Sequence, residues 1–313
     1  MAENCTNNCT NNCTIAQALQ QAASLGLPRL DAQLLLLHAL GQSSQNRAWL
    51  LAHDTETLTP PQQQHWQQLL QRRLAGEPVA YLLGQREFFG LPLAVNPHVL
   101  DPRPDTETLV QWALDLLPTL PANPVLADMG TGSGAIACAL AHHSLHHSQH
   151  NGIHASVYAT DASPSALAVA QHNAQQLKLP ITFAQGNWFA AFAALPTAPS
   201  SAPHATPRFH LIASNPPYIA SNDPHLPALR HEPLSALVSG TDGLDDIRTL
   251  IAQAPHWLHD GGWLLLEHGY DQAAALQALL QARGFTQVQG RKDLGGIVRC
   301  SGGQWLAGAD SRQ

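Results

Sequence analysis

The sequence predicts an α/β protein in which a small all-helical domain precedes a larger domain built around a mostly parallel sheet. Residues 15–75 carry apolar side chains at helical spacing, with glycine and proline between the runs. From Thr108 onward, short apolar strands alternate with helical segments, a pattern typical of a parallel sheet with helices on both faces. The motifs that carry chemistry all lie in this second, larger domain.

Each helix predicted in the first domain has a sequence signal that begins or ends it. Pro28 and Gly41 follow the first two helices, and Gly76 follows the last. Thr59 is a favourable N-cap for the last helix, because Pro60 then occupies the first helical position. The segment carries no cluster of titratable residues, so we expect this domain to dock on a partner. The predicted helices span residues 15–27, 30–41, 46–53 and 60–75.

The composition excludes several classes of protein. Apolar residues make up 44% of the 313 residues, which excludes a disordered or collagen-like chain. Charged residues are only 12% and the net charge is -7, which disfavours binding to nucleic acid through phosphate contacts. Apolar runs such as residues 34–37 are too short to cross a membrane, and the first ten residues lack the pattern of a signal peptide. We therefore expect a soluble, cytoplasmic protein, with a monomer as its simplest state.

Three segments have an unusual composition. Residues 1–14 repeat the tetrapeptide NCTN, and we expect a disordered tail there. A thiolate metal site formed by the three cysteines of the repeat is the alternative, but no fourth ligand follows at a zinc-like spacing. The His-rich residues 142–154 and the Ala-, Pro- and Ser-rich residues 190–207 are predicted to be solvated loop insertions. No metal site is therefore predicted.

A short segment of different character connects the two domains. Residues 86–89 and 91–95 flank Gly90 and predict a β-hairpin. The polar run at residues 103–107 either lines the mouth of a ligand pocket or forms ion pairs and caps between the domains. The predicted organisation is a tail at residues 1–14, a helical domain at 15–84, a hairpin linker at 85–107 and the larger domain at 108–313.

A glycine-rich loop and a strand-end acid are the first two motifs. The run DMGTGSG at residues 128–134 follows an apolar strand and precedes a helix of small residues, so its backbone can approach a ligand closely. Its spacing is GxGxG rather than GxGxxG, and a tight structural turn or a nicotinamide site stay open as alternatives. Asp161 ends the next predicted strand, where a carboxylate can accept hydrogen bonds from ribose hydroxyls. Its alternative is a helix N-cap, for which Ser163 competes.

The third motif is Asn215-Pro216-Pro217-Tyr218, directly after another apolar strand. The two prolines fix the backbone and remove two N–H donors. The Asn215 side-chain oxygen and the Pro216 carbonyl can then both accept from one ligand, which matches the two donors of a planar NH2 group. Tyr218 supplies an aromatic wall, although it can equally be part of the core. A plain β-turn is disfavoured, because such turns ordinarily use a single proline.

With these motifs in this order, the sequence resembles class I S-adenosylmethionine-dependent methyltransferases that modify planar NH2 groups. The finer resemblance is to the HemK/PrmC family, which methylates the glutamine of the Gly-Gly-Gln motif in bacterial peptide chain release factors. It covers roughly residues 15–300 and includes the segments EPVAYLLGQREFFGL, DPRPDTETLV, GNWF, SNPPYI, RHEPLSALVSGTDGLDDIR and LLLEHGYDQ. The resemblance implies a Rossmann-like fold with a mostly parallel seven-stranded sheet and S-adenosylmethionine as cofactor. It also implies release factors 1 and 2 as protein substrates, without direct binding of nucleic acid or a membrane.

The resemblance also implies roles for individual residues. Asp161 would hold the cofactor's ribose, and Trp188 would lie against its adenine. The methionine end of the cofactor would be held by Gly130, Thr131, Gly132, Ser133 and Gly134. The residues that would hold the glutamine amide beside the activated methyl group are Asn215, Pro216, Pro217 and Tyr218. Of these, Asn215, Pro216 and Tyr218 would be catalytic, and Asn215 would also contact the cofactor. One departure is Asn187, which stands where the family usually has Asp and keeps only one acceptor oxygen toward the adenine.

Two other functions stay open at the level of sequence. An adenine N6 methyltransferase of nucleic acid could use the same NPPY motif, but the net charge and the lack of a basic, aromatic-rich segment disfavour it. A non-catalytic cofactor-binding module that docks on release factors would not need the acceptor pair of the NPPY motif. Glu267, at the end of the apolar run GGWLLLE, fits a structural role as well as a functional one and is left outside the predicted site.

Overall fold

The computed structural model describes residues 13–151, 154–194 and 207–307, which form two compact units. The first unit comprises the described residues up to Gly84, and the second begins at Gln85. Most of the predicted tail, residues 1–12, lies outside the described residues, as do residues 195–206 of the second predicted insertion. No helix in the described part combines the length and the apolar character that a membrane span requires.

Five helices form the first unit within the described residues. The four predicted helices are confirmed with small shifts of their ends, and a fifth, α5, was not predicted. Thr14 was assigned to the tail, but it caps the first helix: its hydroxyl accepts from the Gln17 N–H at 3.2 Å, and Gln17 Oε1 accepts from the Thr14 N–H at 3.0 Å. The bounds are α1 (Ile15–Ser24), α2 (Arg29–Ala39), α3 (Arg47–Ala52), α4 (Pro60–Leu74) and α5 (Val79–Leu83).

The core of the first unit explains its leucine-rich sequence. Leu35, Leu36 and Leu37, which are consecutive on α2, are all fully buried, so this helix is enclosed on most of its circumference. Trp66 and Leu70 of α4 belong to the same apolar cluster and are also fully buried. The unit therefore has a hydrophobic core of its own.

The second unit begins with the predicted β-hairpin, which is confirmed. Strand β1 (Gln85–Phe88) pairs antiparallel with β2 (Leu91–Ala94), and Phe88 lies opposite Leu91. The two turn residues, Phe89 and Gly90, both have positive φ, 49° and 79°, as a tight two-residue hairpin turn requires. The turn is fixed further by Glu107, whose carboxyl accepts a hydrogen bond from the Phe89 N–H at 3.0 Å.

A seven-stranded sheet forms the centre of the second unit in the described residues. The strand order is β5-β4-β3-β6-β7-β9-β8, in which β3 to β7 run parallel and β9 runs antiparallel to both of its neighbours. The mostly parallel seven-stranded sheet that the resemblance implied is confirmed. The strands are β3 (Val125–Met129), β4 (Ser156–Asp161), β5 (Ile181–Gln185), β6 (Phe209–Ser214), β7 (Leu258–Glu267), β8 (Thr286–Lys292) and β9 (Val298–Gln304).

Helices cover both faces of this sheet. Because side chains alternate along a strand, Leu211 of β6 joins the core on one face and Ile212 joins the core on the other. The first core contains the buried sides of α6 and α7, and the second contains those of α9 and α10. The helices are α6 (Glu107–Leu116), α7 (Ala135–Asn151), α8 (Pro164–Gln176), α9 (Asp245–Trp257) and α10 (Ala273–Arg283).

The prediction of a loop at the His-rich tract is wrong for most of its length. Helix α7 continues through residues 142–151, so the histidines extend the helix rather than interrupt it. The physical reason is that His, Ser and Gln cost only a few tenths of a kcal/mol each in a helix, and no glycine or proline occurs before Gly152. In the second predicted insertion, residues 190–194 belong to a 3-10 helix (Trp188–Ala194).

Candidate active site

A cavity opens at the carboxyl ends of the central parallel strands. The chain passes from β3 through β4 to β5 on one side of the sheet and then returns to β6 on the other side of β3. In a sheet of this kind, ligands bind in the crevice where the order reverses. The cavity has a volume of about 210 Å³, and its walls include Gly132, Asp161, Trp188 and Asn215 from four successive strand ends.

The glycine-rich loop adopts backbone angles that favour glycine at three positions. Gly130, Gly132 and Gly134 have φ of 71°, 57° and 82°. A Cβ on Gly134 would lie 3.1 Å from the Cβ of Ala170, so this glycine permits α8 to pack closely against the loop. A Cβ on Gly132 would meet no atom within 4 Å, and this residue faces the cavity.

Asp161 is hydrogen-bonded to the glycine-rich loop and to the start of α8. Its Oδ2 accepts from the Gly132 N–H at 2.9 Å, and its Oδ1 accepts from the Ser163 N–H at 2.8 Å. Burial raises the pKa of this carboxyl, and the backbone hydrogen bonds oppose the shift. The N-cap of α8 is Ser163, whose hydroxyl accepts from the Ala166 N–H. Asp161 is therefore free of the capping role that the sequence left open and lies in the cavity wall.

Asp128 holds the same loop in place through buried hydrogen bonds. Its side chain is fully buried, and Oδ2 accepts from the Thr131 hydroxyl at 2.6 Å and from the Ala137 N–H at 3.0 Å. Burial raises the pKa of this carboxyl to about 7, although the two hydrogen bonds act in the opposite direction. Asp128 thus ties the loop to the first turn of α7 and does not line the cavity.

Trp188 forms one wall of the cavity through an unusual backbone conformation. Its φ is 48°, and the edge of the indole packs against Gly130, where a Cβ would come within 3.1 Å of Cζ3. The indole Nε1 donates to Asp246 Oδ1 at 3.1 Å, and Asp246 Oδ2 accepts from the Ser239 hydroxyl at 2.7 Å. This chain of hydrogen bonds fixes the plane of the indole at the cavity.

The NPPY motif lies at the carboxyl end of β6 with its asparagine at the cavity. Asn215 Nδ2 donates a hydrogen bond to the Thr106 hydroxyl at 3.2 Å, and both residues line the cavity. Pro217 also lines it, whereas Pro216 is buried beneath. Tyr218 turns its hydroxyl toward Glu267, to which it donates at 3.2 Å. The motif therefore presents its amide and the second proline ring to the cavity and anchors its tyrosine behind them.

Glu267 is fully buried at the end of β7. Burial raises the pKa of its carboxyl to about 7, and hydrogen bonding from Thr106 and Tyr218 opposes that shift. In return, burial and the neighbouring Glu267 carboxyl raise the pKa of Tyr218. Glu267 Oε2 has no hydrogen-bond partner among the described residues. This carboxyl touches the NPPY tyrosine directly, a contact that the strand-end position of Glu267 alone did not reveal.

Within the polar run at residues 103–107, one residue lines the cavity and two form ion pairs. Thr106 lines the cavity, as one of the two predicted roles required. Arg103 pairs with Glu232 at 2.5 Å, next to Pro233, which also lines the cavity. Asp105 pairs with Arg299 at 3.3 Å. The ion pairs described here are all within the second unit, rather than the contacts between domains that the alternative prediction envisaged.

The predicted site residues do not all reach the cavity. The residues in its walls are Gly130, Thr131, Gly132, Ser133, Asp161, Trp188, Asn215 and Pro217. Those outside its walls are Gly134, Pro216 and Tyr218. Asn187 lines the cavity beside Trp188. Two supporting residues, Asp246 and Asn173, were not predicted. Asp246 accepts from the Trp188 indole, 58 residues away along the chain, and Asn173 Nδ2 donates to the Ser133 carbonyl at 2.8 Å, 40 residues away. The segment DGLDDIR contains Asp246 and was the only available signal.

The cavity fits the cofactor that the resemblance implied. The open space in front of Gly132 and the N-terminus of α7 provide a cradle that a Cβ would fill. The Asp161 carboxylate offers acceptor capacity for a ribose, and the indole of Trp188 offers a flat apolar wall for a purine. Within the described ranges, no group of three or more His, Cys, Asp or Glu side chains could hold a metal ion.

Comparison with known proteins identifies relatives along most of the chain. A family model described as the PrmC N-terminal domain matches residues 14–84, and one described as a methyltransferase domain matches residues 122–226. A Bordetella pertussis protein named release factor glutamine methyltransferase is 50% identical over 283 residues, which cover 90% of this chain and 96% of that protein. A Vibrio cholerae protein of the same name is 44% identical over 292 residues, covering 92% of this chain and 93% of its own.

A solved structure also shares the fold. The hMettl16 catalytic domain, in complex with MAT2A 3′UTR hairpin 1, matches with a TM-score of 0.51 and 18% identity, covering 74% of this chain and 80% of its own. At this level of identity the similarity concerns the fold alone.

Proposed function

The chain belongs to the release factor glutamine methyltransferase family, and from this premise we propose that it methylates the side-chain nitrogen of the glutamine in the Gly-Gly-Gln motif of release factors 1 and 2. The observation that carries this proposal is the position of Asn215, which directly follows β6 and lies in the wall of the cavity that the glycine-rich loop and Asp161 also line. The enzyme is a class I S-adenosylmethionine-dependent methyltransferase.

The residues around the cavity divide into two groups by chemistry. The cofactor, when bound, supplies a methyl group that its sulfonium makes electrophilic. In this proposal Asp161 holds the ribose, and the indole of Trp188 lies against the purine. The remaining cofactor contacts come from the loop residues Gly130, Thr131, Gly132, Ser133 and Gly134, of which Gly134 acts through packing against Ala170.

The protein has to improve a poor nucleophile. The lone pair of an amide nitrogen is delocalised into its carbonyl, so the nitrogen must be held in line with the methyl group. In the proposed complex, Asn215 Oδ1 and the Pro216 carbonyl accept the two N–H groups and stabilise the positive charge that develops on nitrogen. Pro217, in the cavity wall, confines the substrate side chain, and Tyr218 supports the motif from behind through its hydrogen bond to Glu267. The nitrogen can lose its proton after transfer, so no side-chain base is required.

The remaining parts of the chain have supporting roles in the proposal. We assign residues 15–84 to docking on the release factor, residues 85–107 to the linker, and residues 108–313 to the catalytic domain. We further propose that the enzyme acts as a cytoplasmic monomer.

The proposal is tested by a methyl-transfer assay with radiolabelled S-adenosylmethionine. The acceptors are purified release factors 1 and 2, their Gly-Gly-Gln→Gly-Gly-Ala variants, and duplex DNA. Label on the wild-type release factors alone is the expected result, because only they offer the glutamine amide. Label on DNA would support an adenine methyltransferase instead. Binding of the cofactor without transfer to any acceptor would contradict catalysis.

A further inference from the structure

A chain of buried polar side chains lies directly behind Asn215. Thr106, at the start of α6, is 4% exposed, and Glu267, at the end of β7, is 1% exposed. The Thr106 hydroxyl accepts a hydrogen bond from Asn215 Nδ2 at 3.2 Å, and the Tyr218 hydroxyl donates one to Glu267 Oε1 at 3.2 Å. Two members of the NPPY motif are therefore each held by a buried polar side chain.

The orientation of the Asn215 amide decides what it can do. The oxygen and nitrogen ends of this group have nearly the same shape, but only the oxygen can accept a hydrogen bond from a substrate NH2 group. If the amide turned by half a rotation, two donors would face the donors of the substrate. The amide must therefore be held in one of its two orientations for the proposed reaction to occur.

Thr106 can select the nitrogen end of the Asn215 amide only if the proton of its own hydroxyl points away from Asn215. A hydroxyl has a single proton to donate and two lone pairs that accept. If that proton pointed at Asn215, it would select the amide oxygen and turn the nitrogen toward the cavity. The structure has the opposite arrangement, in which the Thr106 hydroxyl accepts from Asn215 Nδ2 at 3.2 Å. The lone pairs of Thr106 then face Asn215 and select its nitrogen, as the structure shows.

We propose that Thr106 is a positioning residue that holds the Asn215 amide with its oxygen toward the substrate. The proposal rests on the proposed function, since it concerns how the same site recognises a planar NH2 group. Thr106 is not placed on the reacting atoms: it acts through Asn215. The aromatic side chain of the motif is fixed separately, by the hydrogen bond from the Tyr218 hydroxyl to Glu267.

Substitutions of Thr106 test this role. Thr106→Val keeps the shape of the side chain and removes the hydroxyl, whereas Thr106→Ser keeps the hydroxyl. We expect Thr106→Val to lower kcat for methyl transfer by about tenfold, the typical effect of one hydrogen bond, with KM for the release factor changed by less than about twofold. Thr106→Ser should recover most of the loss. Thr182→Val, at an exposed threonine of β5, serves as the matched control.

A double-mutant cycle separates this role from a structural one. In the Asn215→Ala background there is no amide to orient, so Thr106→Val should lower the rate by no more than about twofold. Calorimetric titration should show an unchanged Kd for S-adenosylmethionine in the single variant. An equal loss of rate with and without Asn215 would overturn the proposal, as would full activity of Thr106→Val. If the valine variant does not fold, Thr106→Ala provides the same comparison.

A measurement that does not depend on methyl transfer tests the positioning role of Thr106 separately from the proposed function. In asparagine-labelled protein, the side-chain NH2 signal of Asn215 can be assigned by its loss in Asn215→Ala. One of its protons should exchange slowly with water in the wild type and in Thr106→Ser, and rapidly in Thr106→Val. Equal exchange in all three proteins would overturn the positioning role even if methyl transfer were normal. Absence of transfer to release factors by the wild type would instead contradict the proposed function.

Discussion

The backbone N–H of Gly132 donates a hydrogen bond to Asp161 Oδ2 over 2.9 Å, which joins the glycine-rich loop to the end of the neighbouring strand. The second oxygen of the same carboxylate accepts from Ser163, so both oxygens are held by backbone donors. A carboxylate oxygen can accept two hydrogen bonds, so each keeps capacity for a ribose hydroxyl. The contact places this acceptor at a fixed position relative to the loop.

Substitution of Asp161 should therefore weaken cofactor binding. A hydrogen bond to a charged group contributes about 1.5–3 kcal/mol, so we expect Asp161→Ala to raise the Kd for S-adenosylmethionine by roughly 10- to 100-fold. Asp161→Asn keeps the shape and one acceptor oxygen, and its effect should be smaller. Isothermal titration calorimetry measures both, with Asp115→Asn, at an exposed acid of α6, as control. A Kd for Asp161→Ala within about threefold of the wild type would contradict the proposed ribose contact.

The glycines of the loop should respond differently to substitution. Gly132 and Gly134 both have positive φ, so alanine at either position costs about 1–2 kcal/mol in backbone strain. At Gly134 the new Cβ also meets Ala170, which adds about 1–3 kcal/mol of overpacking. We expect Gly134→Ala to be the less stable variant in urea unfolding. Gly132→Ala should instead weaken cofactor binding, because its Cβ projects into the cavity.

The hairpin glycine provides the matched control for that comparison. Gly90 has φ of 79°, and a Cβ at this position would have no atom within 4 Å, so Gly90→Ala reports the backbone strain alone. Equal unfolding free energies for Gly90→Ala and Gly134→Ala would show that Gly134 is needed only for its backbone angle and that the packing against Ala170 is not tight.

Local signals explain why the sequence predicted most of the fold and the motifs in the cavity. The glycine-rich loop and NPPY each follow an apolar strand directly, so their position at a sheet edge follows from neighbouring residues. The contacts that hold the motif residues in place instead join residues that are far apart in the sequence. Thr106 and Asn215 are 109 residues apart, and Tyr218 and Glu267 are 49 apart. Only the tertiary fold brings these pairs together, and no periodicity in the sequence indicates them.

The errors in the prediction have equally specific causes. The His-rich tract was assigned to a loop from its composition, but composition does not end a helix without a glycine, a proline or a cap, and α7 continues to Asn151. Helix α5, between Pro78 and Gly84, has only five residues, and hydrophobic periodicity cannot be recognised over so short a segment.

Removal of the Asn215 side chain should affect the chemical step most. Loss of a preorganised group that stabilises developing charge commonly costs about 10²–10³ in rate, so we expect Asn215→Ala to lower kcat by that factor. Binding of S-adenosylmethionine should change far less. Radiolabelled methyl transfer at saturating release factor measures the effect, and Asn222→Ala, at an exposed asparagine of the following loop, is the control. Activity of Asn215→Ala within about threefold of the wild type would exclude the proposed role.

The buried carboxyl of Glu267 should make folding stability depend on pH. Its pKa is raised from 4.5 to about 7 in the folded protein, so the folded state binds this proton more tightly than the unfolded chain. The stabilisation is therefore complete below about pH 4.5 and is lost as the pH rises through about 7. Glu267→Gln cannot titrate, so the wild type should lose stability relative to this variant, by up to about 3 kcal/mol, between about pH 5 and pH 8.

Urea unfolding of the wild type and of Glu267→Gln between about pH 5 and pH 8 measures this difference in stability. Asp128 is also buried with a pKa raised to about 7, so the wild type and Glu267→Gln both contain its contribution, and it cancels in the comparison. Asp115→Asn, at an exposed position, should follow the wild type at every pH. A difference between wild type and Glu267→Gln that stayed constant with pH would mean that Glu267 has the same protonation in the folded and unfolded states. The charged form would then be stabilised by Thr106 and Tyr218 strongly enough to offset its burial.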